Sequence, residues 1–229
     1  PIFIILAGAL TKLDVSESRL LKNIKSLLIP LLIFTVLYEV FNLVGGKGVS
    51  HYTLNWKPYW ILWFLFSMFI WKMALPVIMQ FKHPLLLSIC ISLCAGYIND
   101  VGYFLGVSRT IYFFPLFILG YKLGPAILSN NILAKVPRVC YAAVLLINII
   151  IFWLYKDLPA GALYGSMSYD KLGDAEWYSF VIRLLLYIIS FISSIAILML
   201  TPNWSSALTQ RGQNSLFVYV WHGFFVKVI

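Results

Sequence analysis

Three ionisable side chains stand inside or at the edge of long apolar runs, where charge is expensive. Glu39 lies in IPLLIFTVLYEVFNLV, about 20 Å up its run when counted from Ser26 at ~1.5 Å per residue. A carboxylate at that depth marks either a functional site or a protonated group hydrogen-bonded to a neighbouring helix. Arg109 opens the run RTIYFFPLFILGYK, which ends at Lys122 and contains Pro115. The apolar stretch between the two charges falls short of the roughly 20 residues that cross a bilayer. Arg109 is therefore expected either to snorkel to the outer interface or to face a wet cavity at the membrane edge. Depth counting puts Glu39 and Arg109 in the same half of the bilayer, so pairing is allowed. His222, in YVWHGFF, is a packed core imidazole or a proton acceptor in transfer chemistry. We treat these three as the catalytic candidates.

Further sets could bind rather than react. Arg19, Lys22 and Lys25 are spaced to share one helix face before the second run. Such a patch holds anionic lipid or the phosphates of a cytosolic cofactor, with lipid favoured on sequence alone. Tyr59 and Trp60 read as aromatic belt residues, while Trp63 lies deeper. The loop Lys156–Glu176 carries Tyr164, Ser166 and Tyr169. Those side chains can stack on and hydrogen-bond a sugar, although composition alone favours a solvated loop. Arg183, near the start of its run, is expected to act as an interfacial anchor.

The elements that must hold these residues are membrane helices. The chain is 62% hydrophobic and 11% charged, with a mean hydropathy of +0.90; ordinary soluble domains are about 25% charged. Apolar runs cover Pro1–Leu10, Ser26–Val44, Pro58–Met79, Pro84–Ile98, Thr110–Tyr121, Val139–Tyr155, Trp177–Leu200 and Ser215–Ile229. We expect an all-α polytopic transmembrane helix bundle of about eight membrane helices with clipped ends, forming a single integral membrane domain over residues 1–229. Pro1–Leu10 is too short to span, so a preceding segment is expected.

The net charge of +9 fits a membrane protein better than a nucleic-acid binder. Lys12, Arg19, Lys22, Lys25, Lys82, Lys122, Lys135, Arg138 and Arg211 fall in one set of alternate loops; Lys47, Lys57, Arg109, Lys156 and Lys171 fall in the other, with Asp100, Asp157, Asp170, Asp174 and Glu176. The positive-inside rule puts the basic set in the cytoplasm. Cys90, Cys94 and Cys140 lack further ligands nearby, so no metal is expected. The glycine pairs Gly102/Gly106 and Gly120/Gly124 have close-packing spacing, but they fall at expected helix ends, where the signal is weak. The Asn203-Trp204-Ser205 sequon falls on the predicted inner side.

Five motifs in order resemble the acyltransferase-3 family of integral membrane proteins. They are FIILAGAL (Phe3–Leu10), RLLKNIKSLLIP (Arg19–Pro30), LWFLFSMF (Leu62–Phe69), RTIYFFPLFILGYKLG (Arg109–Gly124) and NSLFVYVWH (Asn214–His222). The loop YGSMSYDKLG (Tyr164–Gly173) is similar to the fucose 4-O-acetylase-like branch. The resemblance implies transfer of an acetyl group from acetyl-CoA to a hydroxyl of a cell-envelope sugar, in the inner membrane of a bacterium. It implies phosphate contacts from Arg19, Lys22 and Lys25, and a site with Glu39, Trp63, Arg109 and Tyr112. The carbohydrate acceptor would pass Tyr164, Ser166 and Tyr169. The family also carries an Arg and a catalytic His on a first helix that these 229 residues do not contain. Ala7 stands where the family has Ser, and Lys22 where it has Arg. A transporter or flippase of lipid-linked glycans would use the same intramembrane charges as a pathway; the outer loop also suits a glycan polymerase, and a structural role alone is the third alternative.

Overall fold

A computed structural model gives the fold. It describes residues 1–46, 59, 61–98, 106–129, 135–155, 159–173, 176–202, 212 and 218–223. Trp60, Gly102, the Asn203–Ser205 sequon and most of Ser215–Ile229 lie outside the described residues.

The described chain is all helical. α1 (Ile2–Ala9) leads to α2 (Glu17–Asn23), a π-turn (Ile24–Leu28) and α3 (Ile29–Val44). Then come α4 (Trp63–Ile78), α5 (Pro84–Ala95), α6 (Val107–Ser129) and α7 (Arg138–Leu154). A short α8 (Ala160–Tyr164) and a 3-10 turn (Asp170–Leu172) precede α9 (Phe180–Leu200). Glu17–Val44 and Phe180–Leu200 are long and apolar enough to cross a membrane, while α4, α5 and α7 are shorter apolar helices.

Local chemistry explains the elements. Ser16 caps α2 by accepting from the Arg19 amide at 3.3 Å. Pro30 cannot donate to the carbonyl four residues back; just before it the ladder widens, and the Ile29 amide reaches Ile24 O. Inside the apolar helices, hydroxyls turn back on their own backbone. Thr35 Oγ1 donates to Leu31 O at 2.7 Å, and Ser193 Oγ to Ile189 O at 2.6 Å. Asn148 Nδ2 donates to Ser193 Oγ at 2.9 Å, fastening α7 to α9. On α3, Leu32, Val36, Val40 and Val44 are all exposed at four-residue spacing. A bare apolar stripe of this kind suits lipid rather than water.

The chain divides into two compact units. The first contains α1, α4 from Ile70 onward and α5 to α9; the second contains α2, the π-turn, α3, the start of α4 and the 218–223 segment. In the first, α1 packs closely along α6. A Cβ on Gly8 would strike the backbone of Phe117 and Tyr121, and one on Gly120 would strike the backbone of Ile5. Gly124 faces Ala9 in the same way. The Gly120/Gly124 spacing is thus a close-packing seam inside a helix. The sequence reading placed it at a helix end because it stopped the helix at Tyr121; α6 runs on to Ser129. Gly120→Leu is expected to force α1 away from α6 and cost about 3 kcal/mol. Its thermal melting in detergent, compared with wild type, checks this; an unchanged midpoint would mean that α1 is not seated there.

Candidate functional site

The first unit gathers polar groups around Arg183. This residue is 6% exposed, although it sits in the first turns of α9. Its Nη1 donates to Ser92 O at 2.7 Å and its Nη2 to Met167 O at 3.4 Å. The guanidinium carbon lies 5.1 Å from the Tyr112 ring centroid and 4.7 Å from that of Tyr169, both in the cation–π range. The interfacial-anchor expectation is therefore wrong. The polypeptide between α7 and α9 folds over Arg183 and removes it from solvent. A lone charge inside an apolar run calls for buried partners at Arg183 as it does at Arg109.

The same segment overturns the solvated-loop expectation. Ser166, Ser168 and Tyr169 are buried, at 2%, 2% and 4% exposure. The Tyr169 amide donates to Gly96 O at 2.8 Å, and its hydroxyl to Leu93 O at 3.3 Å. Its ring meets Tyr97 edge-on at 4.7 Å, and Tyr97 Oη donates to Trp177 O at 2.6 Å. Ser108 Oγ donates to Gly165 O at 2.7 Å, tying the segment to the start of α6. Gly165 is left-handed (φ 57°), and any Cβ there would enter the Tyr112 ring. Composition misleads here because serine and tyrosine are buried once their hydroxyls find carbonyls.

Proline chemistry shapes the helix below. Pro115 withholds a donor from Ile111 and crowds that turn of α6. The carbonyls on either side accept from other helices. Trp71 Nε1 donates to Thr110 O at 2.8 Å, and Tyr187 Oη to Tyr112 O at 2.6 Å. Because the Tyr187 proton is committed to Tyr112, Ser92 Oγ is the donor in the Ser92–Tyr187 hydrogen bond. Arg109 lies on the first turn of the same helix, half-buried, with its guanidinium 5.8 Å from the Tyr164 ring. Tyr164 itself is 60% exposed.

Burial pushes the Tyr169 phenol up from 10.0 to about 12, with Arg183 offsetting part of the rise. Its folded value exceeds its unfolded one, so the stability it contributes is complete below pH ~10 and disappears as pH climbs through about 12. Unfolding followed across that interval is expected to be less steeply pH-dependent in Tyr169→Phe than in wild type. Equal slopes would remove Tyr169 as the cause.

The second unit holds Glu39. Tyr59 Oη donates to Glu39 Oε1 at 2.6 Å and accepts from Asn42 Nδ2 at 2.9 Å. The Tyr59 ring stacks on Tyr38 at 4.9 Å, and both residues are buried. Tyr59 is thus a buried partner of the intramembrane carboxylate, not a belt residue. A carboxylate in an apolar span calls for a donor, and that requirement pointed to a nearby phenol. His222 packs 5.6 Å from the Tyr219 ring, and Tyr219 Oη donates to Ile61 O at 2.6 Å. Trp63 is half-buried and meets Phe64 edge-on. Glu39 belongs to this unit and Arg109 to the other.

The basic set lies beside the π-turn. Lys22 and Lys25, with Ser18, Leu21 and Ser26, line an open recess of about 500 Å³. Two ammonium groups and two hydroxyls around such a recess can hold an anionic group with several oxygens. Arg19 stands on the same helix, half-buried.

A family model described as an acyltransferase domain matches residues 1–229. No protein of curated function and no solved structure matches the chain.

Proposed function

The chain belongs to the acyltransferase-3 family of membrane acyltransferases, and on that premise we propose that it moves an acetyl group from acetyl-CoA to a hydroxyl of a cell-envelope sugar. The observation that carries this reading is the family match along the whole chain. The recess lined by Lys22 and Lys25 supports a phosphate-bearing donor. The exposed Tyr164 ring, just ahead of the buried Ser166, Ser168 and Tyr169 in the chain, supports a carbohydrate acceptor. Residues 1–229 act as one integral membrane domain, in the inner membrane of a bacterium, with the basic recess on the cytoplasmic side.

In the proposed reaction the sugar oxygen attacks the thioester carbonyl. The C–O bond forms, negative charge builds on the carbonyl oxygen, and the C–S bond breaks. The coenzyme thiolate leaves and takes up the proton that a general base removed from the hydroxyl. Lys22, Lys25 and Arg19 hold donor phosphates. Arg109 supplies positive charge for the growing oxyanion. Glu39, fixed by Tyr59, orients a polar partner in its own unit, where Trp63 is a stacking surface. The general base is proposed to be the catalytic His that the family carries on its first helix; His222 remains a secondary candidate for a part in proton transfer. Tyr112, Tyr164, Ser166 and Tyr169 shape the acceptor side.

Calorimetry of acetyl-CoA with the purified full chain tests the reading. The double variant Lys22→Gln/Lys25→Gln is expected to weaken binding by about tenfold to a hundredfold, because it removes two charge-assisted contacts. Binding unaffected by the variant would give the recess to anionic lipid. The absence of any acetyl-CoA binding would favour a transporter or flippase of lipid-linked glycans.

A further inference from the structure

Below the folded segment of the first unit lies a cavity of about 70 Å³. Its polar lining is Arg183, Tyr169 and Ser179, and its walls include Ala162, Leu172 and Leu186. Two observations bear on what fills it. First, Arg183 is 94% buried by its 6% exposure, and its protein contacts are two carbonyls and two aromatic faces. Those two bonds leave guanidinium N–H groups to spare, and no ion pair to Arg183 is found among the described residues. A buried cation without a counter-charge is a costly arrangement. Second, the cavity touches the amino-terminal turn of α9, a helix of 21 residues whose N-terminus has no side-chain cap. The helix dipole adds positive potential where the guanidinium already lies.

We infer that this cavity binds a single carboxylate group, held by the Arg183 guanidinium beside the Tyr169 phenol. One cation calls for one negative charge. The planar guanidinium fork matches a carboxylate. The space equals about two waters at ~30 Å³ each, enough for a carboxylate and its attached carbon. The apolar walls suit that carbon and disfavour a hydrated dianion. Such a carboxylate comes from a free short-chain acid or from an acidic sugar; the second source rests on the proposed function.

The test is thermal melting of the full chain in detergent, without acetyl-CoA, against sodium acetate, sodium glucuronate, glucose and sodium chloride at matched ionic strength. Acetate is expected to raise the melting midpoint more than chloride or glucose does. A matching rise with glucuronate assigns the site to a sugar acid, and a rise with acetate alone to a free acid. Ala162→Leu fills the cavity and leaves both Arg183–carbonyl bonds in place. It is expected to lower the apparent acetate affinity at least tenfold, and Arg183→Gln to do the same where that variant folds. No carboxylate-specific rise, or a rise that survives Ala162→Leu, overturns the inference. Carboxylate binding by a chain that transfers no acetyl group would sink the proposed function and leave this site standing.

Discussion

Arg109→Ala is expected to lower acetyl transfer by about 10²–10³-fold while the protein still accumulates in the membrane. The magnitude is that of removing one preorganised donor from a developing oxyanion. The fold is spared for a structural reason. The residue that anchors the folded segment to α6 is its neighbour, Ser108, through Gly165 O. Arg109 is half-buried and borders the exposed Tyr164 ring. Arg109→Lys keeps the charge but loses the fork, so it is expected to recover part of the rate. Product formation from labelled acetyl-CoA, normalised to membrane protein, is the measurement. Full activity in Arg109→Ala would remove Arg109 from the reaction.

Arg183→Leu is expected to cost at least about 3 kcal/mol of stability, from two lost hydrogen bonds to a charged donor at ~1.5–3 kcal/mol each. The Ser92 and Met167 carbonyls lose their partner, and Tyr112 and Tyr169 lose the cation between them. Limited proteolysis reports the result locally. Cleavage between α8 and α9 is expected to rise sharply, while α2 and α3, in the other unit, keep their protection. Equal protease sensitivity in both proteins would mean that Arg183 does not hold the segment.

Much of this architecture can be read from hydropathy. The helices α3, α4, α5, α7 and α9 fall within or close to apolar runs marked by composition alone, because burial in lipid and burial in protein both select the same residues. What hydropathy cannot supply is the partner of a polar group. Tyr59 at the start of a run looks like a belt residue until Glu39 and Asn42 are seen on its hydroxyl. Ser166 and Ser168 look like loop residues because their burial depends on distant contacts. The widened turn before Pro30 has no hydropathy signal; the missing proline donor is its physical cause. At the candidate site, Tyr112 and Tyr169 were named and do share a cation. That cation is Arg183, which the sequence reading assigned to the interface.

The most direct measurement is made on full chain reconstituted in lipid vesicles with radiolabelled acetyl-CoA and cell-envelope glycan. The expected result is label in the glycan as an alkali-labile ester, lost with Arg109→Ala and reduced with Lys22→Gln/Lys25→Gln. Glycan that crosses the bilayer unlabelled, with acetyl-CoA left intact, would contradict the account.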